Sequence, residues 1–600
     1  MTQAVTSAVS DCLTDSLRFE YEVSLPRPEA HLFEVTFVIG GWSEPSLDLK
    51  FPVWTPGSYL VREYARHLQG FSAQTPEGQE LEWHKVGKNH WQVKTPGIEG
   101  IKIQYRIFAN ELTVRTNHLD ATHGYFNPAA MFFRIPGYEH CAIAITITPP
   151  HPEWKVSTPL PPVGNLPHTY KAANFDELVD SPFEIGTHAI YEFEALGKPH
   201  QFAVWGQGNL NMQRILKDTQ RIVETEAALF GGLPYERYLF LLHLVANSYG
   251  GLEHKAACSL IYSRFGFSNE DSYQKFMSLV AHEFFHLWNV KRIRPQGLET
   301  FDYDQENYTD CLWFCEGTTS FYDLVIPMRA QIYGVDVYLK KVSEAITQLQ
   351  STPGRAVQPV SESSFDAWIK LYRPDANSRN VQVSYYLKGE LISFLLDLYI
   401  RTQTQNQRSL DDVMRSLWQD FGKVEVGFSR EQLKAAFEAA AGQDLTAFWA
   451  NYIDGTAELP FAKYLEPFGL TVKSELPATP YFGVTVKTEQ GAAVVKFVEA
   501  GSPAEQAGLE PGDELLAIAN FRVSAEQLSD RLQQYQPGDT VLMTVFHQDM
   551  LRQCPVVLAE PIPHSFKVQP LPTPTPAQQA LFAGWLGTDF TSIQPQTTDP

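Results

Sequence analysis

His282 and His286 stand four positions apart, with Glu283 directly after the first, in the run His282-Glu283-Phe284-Phe285-His286. On a helix, side chains at i and i+4 share a face, so both imidazoles could grip one metal ion. Glu283 lies one residue further round, where it could take a proton from a water at that metal. With 17 histidines in 600 residues, chance would produce roughly 0.03 such pentapeptides, so the pattern is signal. The chemistry it suggests is metal-assisted hydrolysis. A catalytic zinc takes three protein ligands and keeps one position open. The candidate third ligand is Glu316, in the apolar stretch Leu312-Trp313-Phe314-Cys315-Glu316-Gly317-Thr318-Thr319-Ser320-Phe321-Tyr322. Glu299, Asp302, Asp304 and Glu306 lie in a polar, loop-like segment and fit a solvated surface better. Cys311 and Cys315 also have i,i+4 spacing, but a thiol pair without a second pair reads as two buried cysteines.

These groups need elements to hold them. Asp271 to Val280 offers an acidic start followed by Phe276, Leu279 and Val280 at helical spacing, and Pro295 ends the run. The result is a buried helix whose two histidines and glutamate would be costly without a ligand. The residues around Glu316 predict a second buried helix. Leu239 to Val245 reads as a buried strand, followed by Gly250 and Gly251, where backbone can approach a ligand closely. Glu253, just beyond, is suited to hold a cation.

With these stretches in order, the chain resembles the gluzincin metallopeptidases of the aminopeptidase N-like clan and, within it, the glycyl aminopeptidase family. The resemblance is carried by Gly250-Gly251-Leu252-Glu253-His254, by His282 through Pro295, by Leu312 through Tyr322, by Tyr386-Leu387-Lys388-Gly389 and by Pro52-Val53-Trp54-Thr55-Pro56-Gly57-Ser58-Tyr59. It implies one zinc per chain on His282, His286 and Glu316, with Glu283 as general base. Glu253 would bind the substrate's α-ammonium, beside Gly250 and Gly251. Tyr386 would donate to the oxyanion, with Tyr385 as its confounding neighbour. His254 stands where much of the clan has Asn. A preference for small N-terminal residues, glycine especially, is also implied.

The texture of the chain predicts a multidomain α+β protein. Residues 15–190 alternate polar and apolar at period two, as in Phe33 to Ile39 and Ile143 to Ile147, which predicts an all-β domain. Its His118, His123 and His140 are scattered and read as structural or exposed. Residues 191–330 would form the thermolysin-like catalytic domain, and 331–465 its helical part. Residues 478–560 are similar to PDZ domains: Tyr481-Phe482-Gly483-Val484 would form the carboxylate loop, and Ala525 to Gln534 the helix walling the groove. The Pro-rich tail, 561–600, reads as an extended linker, with Trp585 and Leu586 able to dock back.

A formal charge of −22 and a pI near 5.2 argue against nucleic acid or an anionic membrane as partner. Six cysteines in 600 residues do not make a disulfide framework. The N-terminus shows no leader and no run reaches a membrane span's length, so the expected compartment is the cytoplasm. The expected function is a zinc-dependent aminopeptidase acting on peptides with a free N-terminus, with a C-terminal peptide as possible PDZ ligand. The competing readings are a zinc endopeptidase and a PDZ-based peptide-binding adaptor. Glu283 and the intact ligands argue against the adaptor.

Overall fold

The structure, a computed structural model, describes residues 17–593. The N-terminal stretch read for a leader, with Cys12, and residues 594–600 lie outside them. The chain divides into two compact units, 1–308 with 418–427, and 309–417 with 428–600.

In the first unit the period-two pattern becomes a six-stranded sheet in the order Thr169–Ala172, Ile143–Thr148, Arg18–Ser24, Leu32–Gly40, Gly100–Phe108, Leu68–Gln74. Phe33, Val35, Phe37 and Ile39 all point into its core, as alternation requires. Tyr21 pairs with Phe37 across the sheet and their rings stack at 4.0 Å, an arrangement worth about 1 kcal/mol beyond area burial. In a four-stranded sheet (Lys155–Ser157, Phe183–Gly186, His123–Phe126, His118–Leu119) the two central strands are buried on both faces rather than alternating.

The next sheet runs Ala189–Ala195, Lys198–Trp205, Tyr238–Val245, Ala257–Ser263, Tyr249–Glu253. Its three inner strands are parallel, and Tyr249–Glu253 lies antiparallel at one edge. Helices Met212–Phe230 and Glu270–Phe285 pack together. Asn211 and Asn269 cap them by accepting from Arg214 N and Ser272 N.

The second unit is helical around Tyr385–Thr404, which is buried along most of its length. The segment around Glu316 is helical as expected, but its first turn, Trp313–Thr318, is a π-helix that runs into Thr319–Arg329. Such bulges occur often at functional sites. The PDZ sheet has the order Val484–Glu489, Ala492–Val498, Glu514–Ile518, Thr540–His547, Met550–Val557. The groove helix is shorter than the sequence suggests, spanning Leu528–Leu532. The tail is not a linker in its first half: Ser565–Pro570 pairs antiparallel with Leu470–Glu475. Pro576–Leu586 is then a helix with a Thr575/Gln578 capping box, burying Trp585 and Leu586. The described cysteines Cys141, Cys258, Cys311, Cys315 and Cys554 are free thiols. Among the described residues, no helix is long and apolar enough to cross a membrane.

Candidate active site

The helix Glu270–Phe285 delivers His282 on its last turn and His286 at its C-cap. Their Nε2 atoms come within 3.1 Å of each other, the convergence expected of two ligands for one ion. His286 Nδ1 sits 2.6 Å from the Asn289 carbonyl. That carbonyl can only accept, so the proton belongs on Nδ1 and the Nε2 lone pair faces the site. The donor set therefore fits a zinc, which favours imidazole and carboxylate.

Two carboxylates join this pair. Glu253, Glu283 and His286 each offer a ligand-type atom within 4.8 Å of the others, and all three are buried. The edge strand Tyr249–Glu253 passes directly over Glu283: a Cβ on Gly251 would lie 2.2 Å from its carboxyl carbon. Only a bare backbone fits there. Arg115 Nη2 donates to Gly251 O at 3.0 Å, pinning that strand from the β domain.

Glu253 is roofed by the loop Thr55-Pro56-Gly57-Ser58, a turn closed by Ser58 N to Thr55 O at 3.1 Å. Gly57 has φ +86°, and a Cβ there would meet Glu253 Oε1 at 2.5 Å. The position thus demands glycine twice, for the left-handed backbone and for the close approach. A cavity of about 10 Å³ remains beside Glu253, lined by Trp54, Pro56, Gly57, Tyr59 and Phe301 among others. Glu253 Oε1 is buried with no hydrogen-bond partner among the described residues, an acceptor suited to an incoming cation.

His254 turns away from this chemistry. Its Nδ1 is 3.3 Å from Asp180 Oδ1, and Lys291 Nζ is 2.6 Å from the same oxygen. Burial would raise the Asp180 carboxyl, but Lys291 and His254 outweigh it and hold it below the usual range.

Within the second unit, Glu316 and Tyr386 are neighbours because two glycines let their helices touch. A Cβ on Gly317 would lie 2.5 Å from Gly389 Cα, so both motif glycines serve this crossing. Tyr385 is fully buried, whereas Tyr386 is partly exposed and lies 3.1 Å, hydroxyl to hydroxyl, from Tyr372. Burial and then the Glu316 carboxylate push the Tyr386 phenol well above its ordinary pKa, so it remains a proton donor across the working range.

In the PDZ module Tyr481 bridges to Ala559, Phe482 is buried and Gly483 turns at φ +87° against Ser502. Val484 opens an edge strand, the geometry that accepts an added strand. Asn380 ties the module to the helical body, donating to Val498 O and accepting from Ala500 N, each at 3.0 Å.

Gly57 and Arg115 escape sequence reasoning as site residues. The stretch containing Gly57 is visible as a motif, but only the fold shows that it lies on Glu253.

Comparison with known proteins fits this arrangement. Residues 20–187 match the Peptidase M61 N-terminal domain, 275–392 the M61 glycyl aminopeptidase and 480–558 a PDZ domain. An aminopeptidase N family protein from Idiomarina loihiensis is 31% identical over 95% of this chain and 100% of its own, with a TM-score of 0.89. An M1 zinc metallopeptidase from Deinococcus radiodurans is 14% identical over 75% of this chain and 96% of its own, with a TM-score of 0.46. Compared by sequence with curated proteins, the chain matches none. The fold and family matches define a metallopeptidase of the aminopeptidase class. The chain belongs to the M61 glycyl aminopeptidase family.

Proposed function

We propose that this enzyme removes the first residue from peptides with a free α-amino group, favouring small residues and glycine above all. The observation that carries the reading is the convergence of Glu253, Glu283 and His286 within 4.8 Å under the Gly57 loop. An α-amine sits two bonds, about 2.5 Å, from its own carbonyl carbon. Its anchor must therefore lie beside the base and the metal, as Glu253 does. Past Glu253 the Pro56-Gly57 roof leaves a cavity of about 10 Å³, room for little more than one water. A chain continuing N-terminally has no path there, which favours exopeptidase over endopeptidase chemistry.

In this reading His282 and His286, with Glu316 as third ligand, hold one zinc. When bound, zinc supplies Lewis acidity that polarises the scissile carbonyl and acidifies a water. Glu283 takes the proton of the attacking water and returns it to the leaving amine. Tyr386, kept protonated, donates to the oxyanion. Glu253 fixes the ammonium, and the bare edge at Gly250 and Gly251 lets the substrate lie against the strand. The PDZ module would take a C-terminal peptide along Val484–Glu489, with Tyr481, Phe482 and Gly483 leading into the carboxylate loop.

Digestion of a peptide of all-different residues, followed by mass spectrometry, tests the reading. Stepwise loss from the N-terminus is expected; internal cuts on an N-terminally blocked peptide would establish an endopeptidase instead.

A further inference from the structure

A second histidine cluster lies in the first unit, away from the HExxH pair. The pairing of Phe183–Gly186 with His123–Phe126 sets Glu184 opposite Tyr125 and diagonal to His123, and His118 also pairs with Tyr125. All four side chains therefore share one face. That face packs on the peptidase sheet, where His243 interrupts the apolar strand Tyr238–Val245. Tyr125 Oη reaches Ser259 Oγ at 2.9 Å, and His123 stacks on Trp205 at 3.6 Å.

Between the sheets, imidazoles crowd one carboxylate. His123 Nδ1 is 2.9 Å from Glu184 Oε1, and His243 Nε2 is 2.8 Å from Oε2. His188 Nδ1 faces the same Oε1 at 3.9 Å, while its Nε2 is held by Ser157 Oγ at 2.8 Å. His123, Glu184, His188 and His243 are each no more than 2% exposed. His123 Nδ1 and His243 Nε2 are the nitrogens that face Glu184, and the third, His188 Nδ1, is buried without a hydrogen-bond partner among the described residues. Buried polar atoms in an interior are ordinarily paired, so an unpaired ring nitrogen aimed at a carboxylate already shared by two imidazoles calls for a ligand. A purely hydrogen-bonded network would need protons on both nitrogens facing Glu184, yet the single carboxylate leaves the third imidazole unserved.

We propose that His123, Glu184 and His243 hold a second divalent metal ion, with His188 as the fourth ligand. Neutral imidazoles would then turn lone pairs inward, and Ser157 would fix the His188 tautomer as an outer partner. Imidazole with one carboxylate is a donor set for zinc, and a closed four-ligand set is that of a structural site. The ion would staple the four-stranded sheet to the peptidase sheet, a role separate from hydrolysis.

The test uses the full-length His282→Ala/His286→Ala double variant, which removes the first ligand pair and leaves this cluster untouched. After zinc loading and desalting, it should retain about one zinc per chain by plasma mass spectrometry, where wild type holds about two. Chelator should lower the Tm of the double variant, and zinc should restore it. No retained zinc and no Tm response would overturn the proposal. Should the double variant fail to fold, anomalous scattering at the zinc edge from wild-type crystals decides. A peak about 2.1 Å from the histidine nitrogens supports the site, and no peak between the two sheets refutes it.

Discussion

The two histidine clusters of the first unit are built in opposite ways. His282, Glu283 and His286 come from a single stretch of helix, so their juxtaposition follows from local geometry. His123, Glu184, His188 and His243 span roughly 120 residues of chain and meet only because strand register and sheet stacking bring them together. The first faces Glu253 and Gly251 with polar groups directed at one spot; the second is sealed between sheets. Similar side chains thus support chemistry in one place and cohesion in the other, and matched substitutions should separate the two.

The largest effect is expected at Glu283. Replacing it by Gln should cost roughly 10³-fold or more in kcat while zinc content stays unchanged, because the base is not a ligand. Steady-state kinetics with metal analysis reads both; full activity would break the mechanism. The matched Glu184→Gln change should do the reverse, lowering Tm and metal content while kcat stays within about twofold. A loss of kcat as large as that of Glu283→Gln would erase the contrast.

Tyr386→Phe should lower kcat by roughly 10²-fold with little change in KM, since its hydroxyl acts in the transition state. The same behaviour in Tyr385→Phe instead would shift the donor by one residue. Gly57→Ala puts a methyl where Glu253 Oε1 lies and strains a left-handed backbone. A fall of about tenfold in kcat/KM on glycyl substrates is expected, measured beside Tm to separate misfolding from a displaced anchor.

The smallest effect concerns Lys388. Its amine is buried without a hydrogen-bond partner among the described residues, and burial lowers its pKa from 10.5 to about 8. Between those values the unfolded chain binds the extra proton, so wild-type stability rises with pH across that window. Lys388→Met should therefore gain most in Tm over wild type below about pH 8 and lose that advantage toward about pH 10.5. A Tm difference independent of pH would show that the amine is solvated.

Much of this is legible in the residues. The β pattern of the N-terminal domain and the helix carrying His282 and His286 follow from periodicity and turn chemistry, and the PDZ module from its resemblance. What stays hidden depends on partners distant in sequence. Gly57 looks like any turn glycine until the fold sets it on Glu253. His118 and His123 read as scattered because their partners, Glu184 and His243, lie on other strands, while His140 stays apart beside Cys141. The histidine within the apolar run of Tyr238–Val245 is the one local hint. The tail defies its proline content because Ser565–Pro570 finds a partner strand in Leu470–Glu475, a tertiary pairing that composition does not encode.

The central claim is that Glu253 anchors a free amino terminus, and one comparison tests it directly. The kcat/KM of wild type on a glycyl amide should exceed that on its N-acetylated form by at least roughly tenfold, because acylation abolishes the charge-assisted hydrogen bond to the carboxylate. Glu253→Ala should shrink that ratio while zinc stays bound. Equal hydrolysis of both substrates by wild type would contradict the account and leave Glu253 a structural carboxylate.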